Sequence, residues 1–191
     1  MITLQAYAKI NLSLDITGKR EDGYHLLKTV MQSVSLCDTV TVELCDDIII
    51  TCSDKTVPCD ERNTAYKAVK AFYDYIKANS GAKIHIEKAI PHEAGMGGAS
   101  ADAAAVICAL NELTNSNLTQ KQLLEIGLKV GADVPFCVYN TPAIVKGIGE
   151  KIETFTMPKN YYVLLVKTKE GVSTKLCFES LNLQTEIHTD C

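Results

Sequence analysis

The chain has 191 residues, 47% hydrophobic and 22% charged, with 19 basic against 23 acidic side chains and a formal net charge of −4. At roughly 150 residues per domain this is one domain, or one and part of another, long enough to bury a core without disulfides or metals. The apolar share excludes a disordered, collagen-like or purely coiled-coil chain, and the charge balance offers no general attraction to nucleic acid or an anionic membrane.

The longest apolar stretches, residues 103–110 and 161–166, fall far short of the ~20 residues that span a bilayer. The first fifteen residues carry no charged segment followed by an apolar block, so no secretory signal is expected. Eight cysteines occur without any CxxC pair, which predicts reduced cytoplasmic thiols rather than a disulfide framework or a zinc site.

In chain order, alternating or β-branched runs predict strands over residues 2–8, 11–16, 38–44 and 48–52, with a loop over 18–25. Ala65, Ala68, Val69, Phe72 and Ile76 recur at spacings of three and four, predicting a helix over 63–79 stopped by Gly81. Residues 83–87 alternate again and lead through a glycine-rich loop into an alanine-dominated helix from about Ser100 to Leu113. Thr119 and Gln122 form a capping box for a further helix to Val130, ended by Gly131. Strands are predicted at 143–145 and 161–167, and a last helical turn or two after Ser173. Strands clustered before helices indicate an α+β chain.

The loop PHEAGMGGASADAAA is the strongest local signal. Glycines at 95, 97 and 98 allow positive φ and close backbone approach, and the amides and dipole of the following helix favour an anion such as phosphate. Ser100 suits either a helix cap or a phosphate oxygen. A tight strand-to-helix turn explains the glycines equally well, and Asp102 in the first helical turn would satisfy the same amides. The spacing matches neither a P-loop nor a Rossmann fingerprint. Lys9 interrupts a strand, and its ordinary reading is a solvated face. Asp133, between Gly131 and Pro135, reads as an N-cap.

Six segments stand in order along the chain: residues 8–12 (AKINL), 22–25 (DGYH), the loop 91–105, 131–136 (GADVPF), Gly147–Gly149, and 171–174 (GVST). Together they resemble the GHMP family of small-molecule kinases, in the branch whose substrates carry cytidine diphosphate. The resemblance implies a two-layer α+β sandwich with a left-handed β-α-β crossover over residues 1–158, with 159–191 only the start of a second domain. It implies Asp133 as general base, with Lys9 beside it stabilising the transferring phosphoryl group. It assigns ATP to Pro91, His92, Glu93, Ala94, Gly95, Met96, Gly97, Gly98, Ala99, Ser100 and Ala101. Asn63 would approach the adenine, although a helix cap is the alternative. Tyr24 and His25 would hold a cytidine ring, with Phe178 as a second stacking face, Thr174 near the diphosphate and Asn11 on the substrate. Mg²⁺ would accompany ATP. The implied activity is ATP-dependent phosphorylation of the 2-hydroxyl of a cytidine-diphosphate methylerythritol, a step of non-mevalonate isoprenoid synthesis. The alternatives are another GHMP kinase, which would not need the Tyr24–His25 platform, or a nucleotide-binding remnant without turnover. Two positions depart from the family's pattern: Ala99 replaces a usual glycine and Ala101 a frequent serine. A Cβ at Ala99 would crowd a phosphate if that residue needed positive φ.

Overall fold

The structure is a computed structural model that describes residues 1–23, 25–157 and 161–167. Among the described residues, six strands form one mixed sheet in the order β3-β4-β2-β5-β6, with β1 on the other side of β2. The strands are β1 (Ile2–Lys19), β2 (His25–Cys45), β3 (Ile48–Cys52), β4 (Gly81–Glu87), β5 (Ala143–Gly147) and β6 (Lys151–Thr154). Four helices accompany them among the described residues: α1 (Thr64–Ile76), α2 (Gly98–Leu113), α3 (Gln120–Val130) and α4 (Val134–Tyr139).

The two halves of β2 serve two purposes. Thr39–Cys45 pairs with β4, while Leu27–Met31 pairs with β5, and β1 runs antiparallel along nearly its whole length. The sequence pattern places only residues 38–44 in a strand. The earlier half is half-buried on both faces and so shows no alternation; pairing on both edges makes it a strand. The expected loop shrinks accordingly, since the ribbon stays paired to Lys19 and His25.

The inner face of the sheet presents Ala6, Val40, Val42, Ile50, Ala82, Ile84 and Ile86 to Val69 and Phe72 of α1, Val106, Ile107 and Leu110 of α2, and Ile126 of α3. The outer face is polar: Thr3 meets Thr41 at 3.0 Å, and His85 Nδ1 lies 2.9 Å from Thr51 Oγ1. The architecture is therefore the expected two layers, helices on one face of the sheet. β3 and β4 are the one parallel pair among the described residues, and α1 is the crossover between them.

Several boundaries differ from expectation. α2 begins at Gly98, two residues early, because Gly97 in the left-handed region starts it without a side-chain cap. α3 forms as predicted, with both capping-box bonds between Thr119 and Gln122. Beyond Asp133 a short helix forms, as its N-cap reading implies, and β6 completes a hairpin that its four mostly polar residues did not signal. Residues 161–167, an apolar run expected to form a strand, pair with none among the described residues, and their side chains are exposed. Apolar composition alone does not satisfy backbone N–H and C=O groups. Tyr24, Thr174, Phe178 and the expected helical turn after Ser173 lie outside the described residues.

Phe72 is fully buried and meets the Tyr73 ring edge-on at 5.6 Å. In urea denaturation Phe72→Ala should cost about 3–5 kcal/mol, whereas Thr119→Ala, which removes only a cap, should cost about 1 kcal/mol.

Candidate functional site

A cavity of about 280 Å³ opens between the start of α1, the loop after β4 and the start of α2. Its walls include Arg62, Asn63, Thr64, Lys88, Asp102 and every residue from Ile90 to Ser100. Two helix N-termini thus face one space, and both favour an anion there.

The two ends differ in how their amides are spent. At α1, Asn63 Oδ1 accepts from the Ala65 amide at 2.8 Å, and its Nδ2 donates to the Pro58 carbonyl at 2.6 Å. The cap reading of Asn63 is therefore the one the structure takes. At α2 no side chain caps the helix. Ala101 N–H donates to the Gly97 carbonyl at 2.8 Å and closes the first turn, so the amides of Gly98, Ala99 and Ser100 have no intrahelical acceptor. These three amides and the Ser100 hydroxyl make an anion cradle. Ala101 does not belong to it: its amide is spent and its methyl is buried in the core.

Gly95 and Gly97 supply the loop's turns at φ +69° and +68°, with Glu93 also left-handed at +52°. Ala99 is helical, so its Cβ raises no conformational objection. Its carbonyl accepts from Thr64 Oγ1 at 2.7 Å, which ties the two helix starts together.

Lys9 is not on a solvated face. The β1–β2 register shifts between Tyr7 and Lys9, and this irregularity turns the side chain inward, leaving Lys9 6% exposed. Its amide donates to the Met96 carbonyl at 2.9 Å, and a methyl group on Gly97 would sit 3.0 Å from Lys9 Cγ. Lys9 Nζ ends 3.3 Å from Asp133 Oδ2. Asp133 occupies the N-cap position of α4 but makes no capping bond, so its carboxylate faces the lysine instead.

Gly149 holds the aspartate's loop from behind. It has φ +111°, and a Cβ there would lie 2.3 Å from the Ala132 carbonyl oxygen. The glycine hairpin between β5 and β6 therefore serves as a backstop for residue 133.

A second charged group, which no sequence signal had singled out as a unit, lies under the loop. Lys88 Nζ donates to Asp38 Oδ2 and, at 2.9 Å, to Asp102 Oδ2. Asp38 Oδ1 accepts from the amides of Ala89 at 2.6 Å and Ile90 at 2.8 Å. Because α2 starts early, Asp102 stands in its second turn and bonds Lys88, not the free amides. Burial pushes the Asp102 carboxyl up to about 7, with the Lys88 charge opposing and Asp38 adding to the shift. Lys88 is itself raised: burial acts against its charge, but the two carboxylates outweigh it.

The substrate-side expectations are partly placed. Asn11 stands two residues beyond Lys9 on the same face of β1 and is exposed. His25 pairs with Lys19 at the tip of the ribbon, roughly 30 Å along the strand from Lys9 at about 3.3 Å per residue. Of the thiols, burial raises Cys108 to about 11 and Cys137 further still, which makes both poor nucleophiles.

Gly149→Ala should lower the melting temperature and widen the Lys9–Asp133 separation in a crystal structure. A carboxyl raised from 3.8 to about 7 holds its proton more tightly when folded, so it withdraws stability as pH rises from 4 to 7. Asp102→Asn should remove that loss, making the variant more stable relative to the parent at pH 8 than at pH 4 by thermal melting.

The GHMP kinases N terminal domain family matches residues 63–141. A 4-diphosphocytidyl-2-C-methyl-D-erythritol kinase of Clostridium botulinum (strain Alaska E43 / Type E3) is 47% identical over 185 residues, 96% of this chain and 66% of that protein. Its counterpart from Clostridium botulinum (strain Eklund 17B / Type B) is 46% identical over 97% of this chain and 67% of its own length. The chain thus spans about two thirds of these relatives, and just under that of the first. A crystal structure of 4-(cytidine 5'-diphospho)-2C-methyl-D-erythritol kinase superposes with a TM-score of 0.68 at 34% identity, covering 82% of this chain and 56% of that one. The chain belongs to the GHMP kinase family, in its 4-diphosphocytidyl-2-C-methyl-D-erythritol kinase branch.

Proposed function

We propose that the protein transfers the γ-phosphoryl group of ATP to the 2-hydroxyl of 4-diphosphocytidyl-2-C-methyl-D-erythritol, a step of non-mevalonate isoprenoid synthesis. The observation that carries this reading is the Lys9–Asp133 pair, 3.3 Å apart, adjoining a glycine loop that packs directly on the Lys9 stem. Family membership supports the choice of substrate.

In this reading the uncapped start of α2 receives the phosphates through the amides of Gly98, Ala99 and Ser100. Residues 90–98 surround the nucleotide with backbone, and Asn63 contributes the wall its cap role leaves facing the cavity. Mg²⁺ suits the Ser100 hydroxyl, a hard oxygen not used for capping, and when bound it neutralises charge on the β- and γ-phosphate oxygens. Asp133 accepts the proton of the substrate hydroxyl, whose oxygen attacks the γ-phosphorus. The bond to the β-phosphate oxygen breaks, and ADP leaves with the electron pair. Lys9 stabilises negative charge on the group in transfer. Most of the work asked of the protein is therefore positioning and charge compensation, which two rigidly mounted side chains and a fixed loop are suited to give. Tyr24 and His25, with Thr174 and Phe178, are assigned to the cytidine diphosphate end through the family resemblance, and Asn11 to the sugar alcohol.

Incubation with Mg-ATP and the cytidine-diphosphate substrate should give the monophosphorylated product by mass spectrometry. Asp133→Asn should cut turnover by at least ~10²-fold, the scale of losing a general base, while nucleotide affinity by calorimetry stays within about twofold. Near-normal turnover in that variant would remove Asp133 from the reaction.

A further inference from the structure

We propose that Asp38, Lys88 and Asp102 form a positioning cluster that holds the two ends of the glycine loop at the separation an anion requires, setting nucleotide affinity rather than fold stability. The inference rests on the nucleotide-binding reading of that loop.

The cluster touches the loop at its beginning, at the helix start and just past it. Asp38, on the central strand β2, accepts from the amides of Ala89 and Ile90, where the chain leaves β4. Lys88 reaches across to Asp102 in α2, so one ammonium bridges residues fourteen apart in sequence. Between them, a methyl group on Gly98 would sit 3.3 Å from Lys88 Nζ, which puts the ammonium directly beneath the first residue of α2. Both ends of the loop are thus referred to one strand through one ammonium. Opposite this clamp the loop also meets Lys9, through the Met96 carbonyl and Gly97.

The arrangement is an expensive way to hold a fold together. Two carboxylates face one ammonium, Asp102 is 3% exposed, and its Oδ1 has no hydrogen-bond partner among the described residues. A neutral side chain of the same shape would relieve that buried oxygen of its desolvation cost. A group whose charge burdens stability while its bond spans a binding loop has a distinctive signature. Neutralising it should loosen the loop and weaken the ligand without weakening the fold.

The decisive variant is Asp102→Asn in the full chain, read in three ways. Hydrogen exchange on the free protein follows the amides of Lys9 and Ala101, which bond to Met96 and Gly97 of the loop, against Val106 and Ile107 inside α2. Calorimetric titration with Mg-ATP gives the affinity, and thermal melting at pH 7.5 gives the stability. The expected result is faster exchange at Lys9 and Ala101 with Val106 and Ile107 unchanged, Mg-ATP binding weaker by about tenfold, and a melting temperature equal to or above the parent's. Lys88→Met, which removes the bridge altogether, should enlarge the first two effects. If that variant fails to fold, Asp102→Asn decides alone. Unchanged exchange at both reporter amides would overturn the proposal. So would a melting temperature that falls together with protection throughout α2, since the cluster would then be holding the fold. A parent protein that binds no Mg-ATP would refute the nucleotide reading, while the exchange comparison would still decide whether the cluster holds the loop.

Discussion

A helix start left without a cap must be held in place by something other than its own side chains. In this protein that task falls to two buried lysines. Gly97 lies against the stem of Lys9, and Gly98 lies over the ammonium of Lys88. A Cβ on Gly97 would press on the Lys9 stem, and one on Gly98 on Ile90 and the Lys88 ammonium, so the loop's backbone is fitted closely to both lysines. The consequence is a row of three amides that neither α2 nor any cap consumes, next to a cation already paired with a carboxylate. The contrast with α1 is informative: there the Asn63 side chain takes up the Ala65 amide. One helix start is capped by a side chain and the other is not.

The sheet supplies the rigid frame for this fit. β2 carries Asp38 in its core half and pairs with Lys9's strand throughout, so both lysine contacts are referred to the same long strand. β5 and β6 then bring Gly149 against Ala132, fixing the aspartate from a third direction. The Lys9–Asp133 pair is therefore assembled from three distant parts of the chain, each anchored by hydrogen bonding or by close backbone contact.

Much of the fold was legible in the residues. The helical spacing of Ala65 to Phe72 and the Thr119–Gln122 box correspond to observed elements, because each is a local pattern with a local cause. The first half of β2 escaped because its β5 edge comes from far away in sequence, and β6 because only its hairpin pairing with β5 makes four mostly polar residues a strand. The charged cluster did leave a trace. Lys88 continues the inward phase of Ala82, Ile84 and Ile86; Asp38 continues that of Val40 and Val42; Asp102 lies one turn before Val106 on the buried stripe of α2. Three charges on three buried phases are a signal that alternation can carry. Lys9 had no such trace, since the strand irregularity that turns it inward depends on β2, and the role proposed for it rests on resemblance rather than on spacing.

The ordering of thiol environments offers a practical handle on the cavity. Cys59 is exposed, whereas Cys37, Cys45, Cys52, Cys108 and Cys137 are all partly or largely covered, and burial further suppresses thiolate formation at the last two. Cys59 follows Val57 and Pro58, which line the cavity rim, and the Pro58 carbonyl is held by the Asn63 cap. A fluorophore or spin label attached there would ride on the same short turn that leads into α1, reporting on the rim from outside the space the ligand would fill.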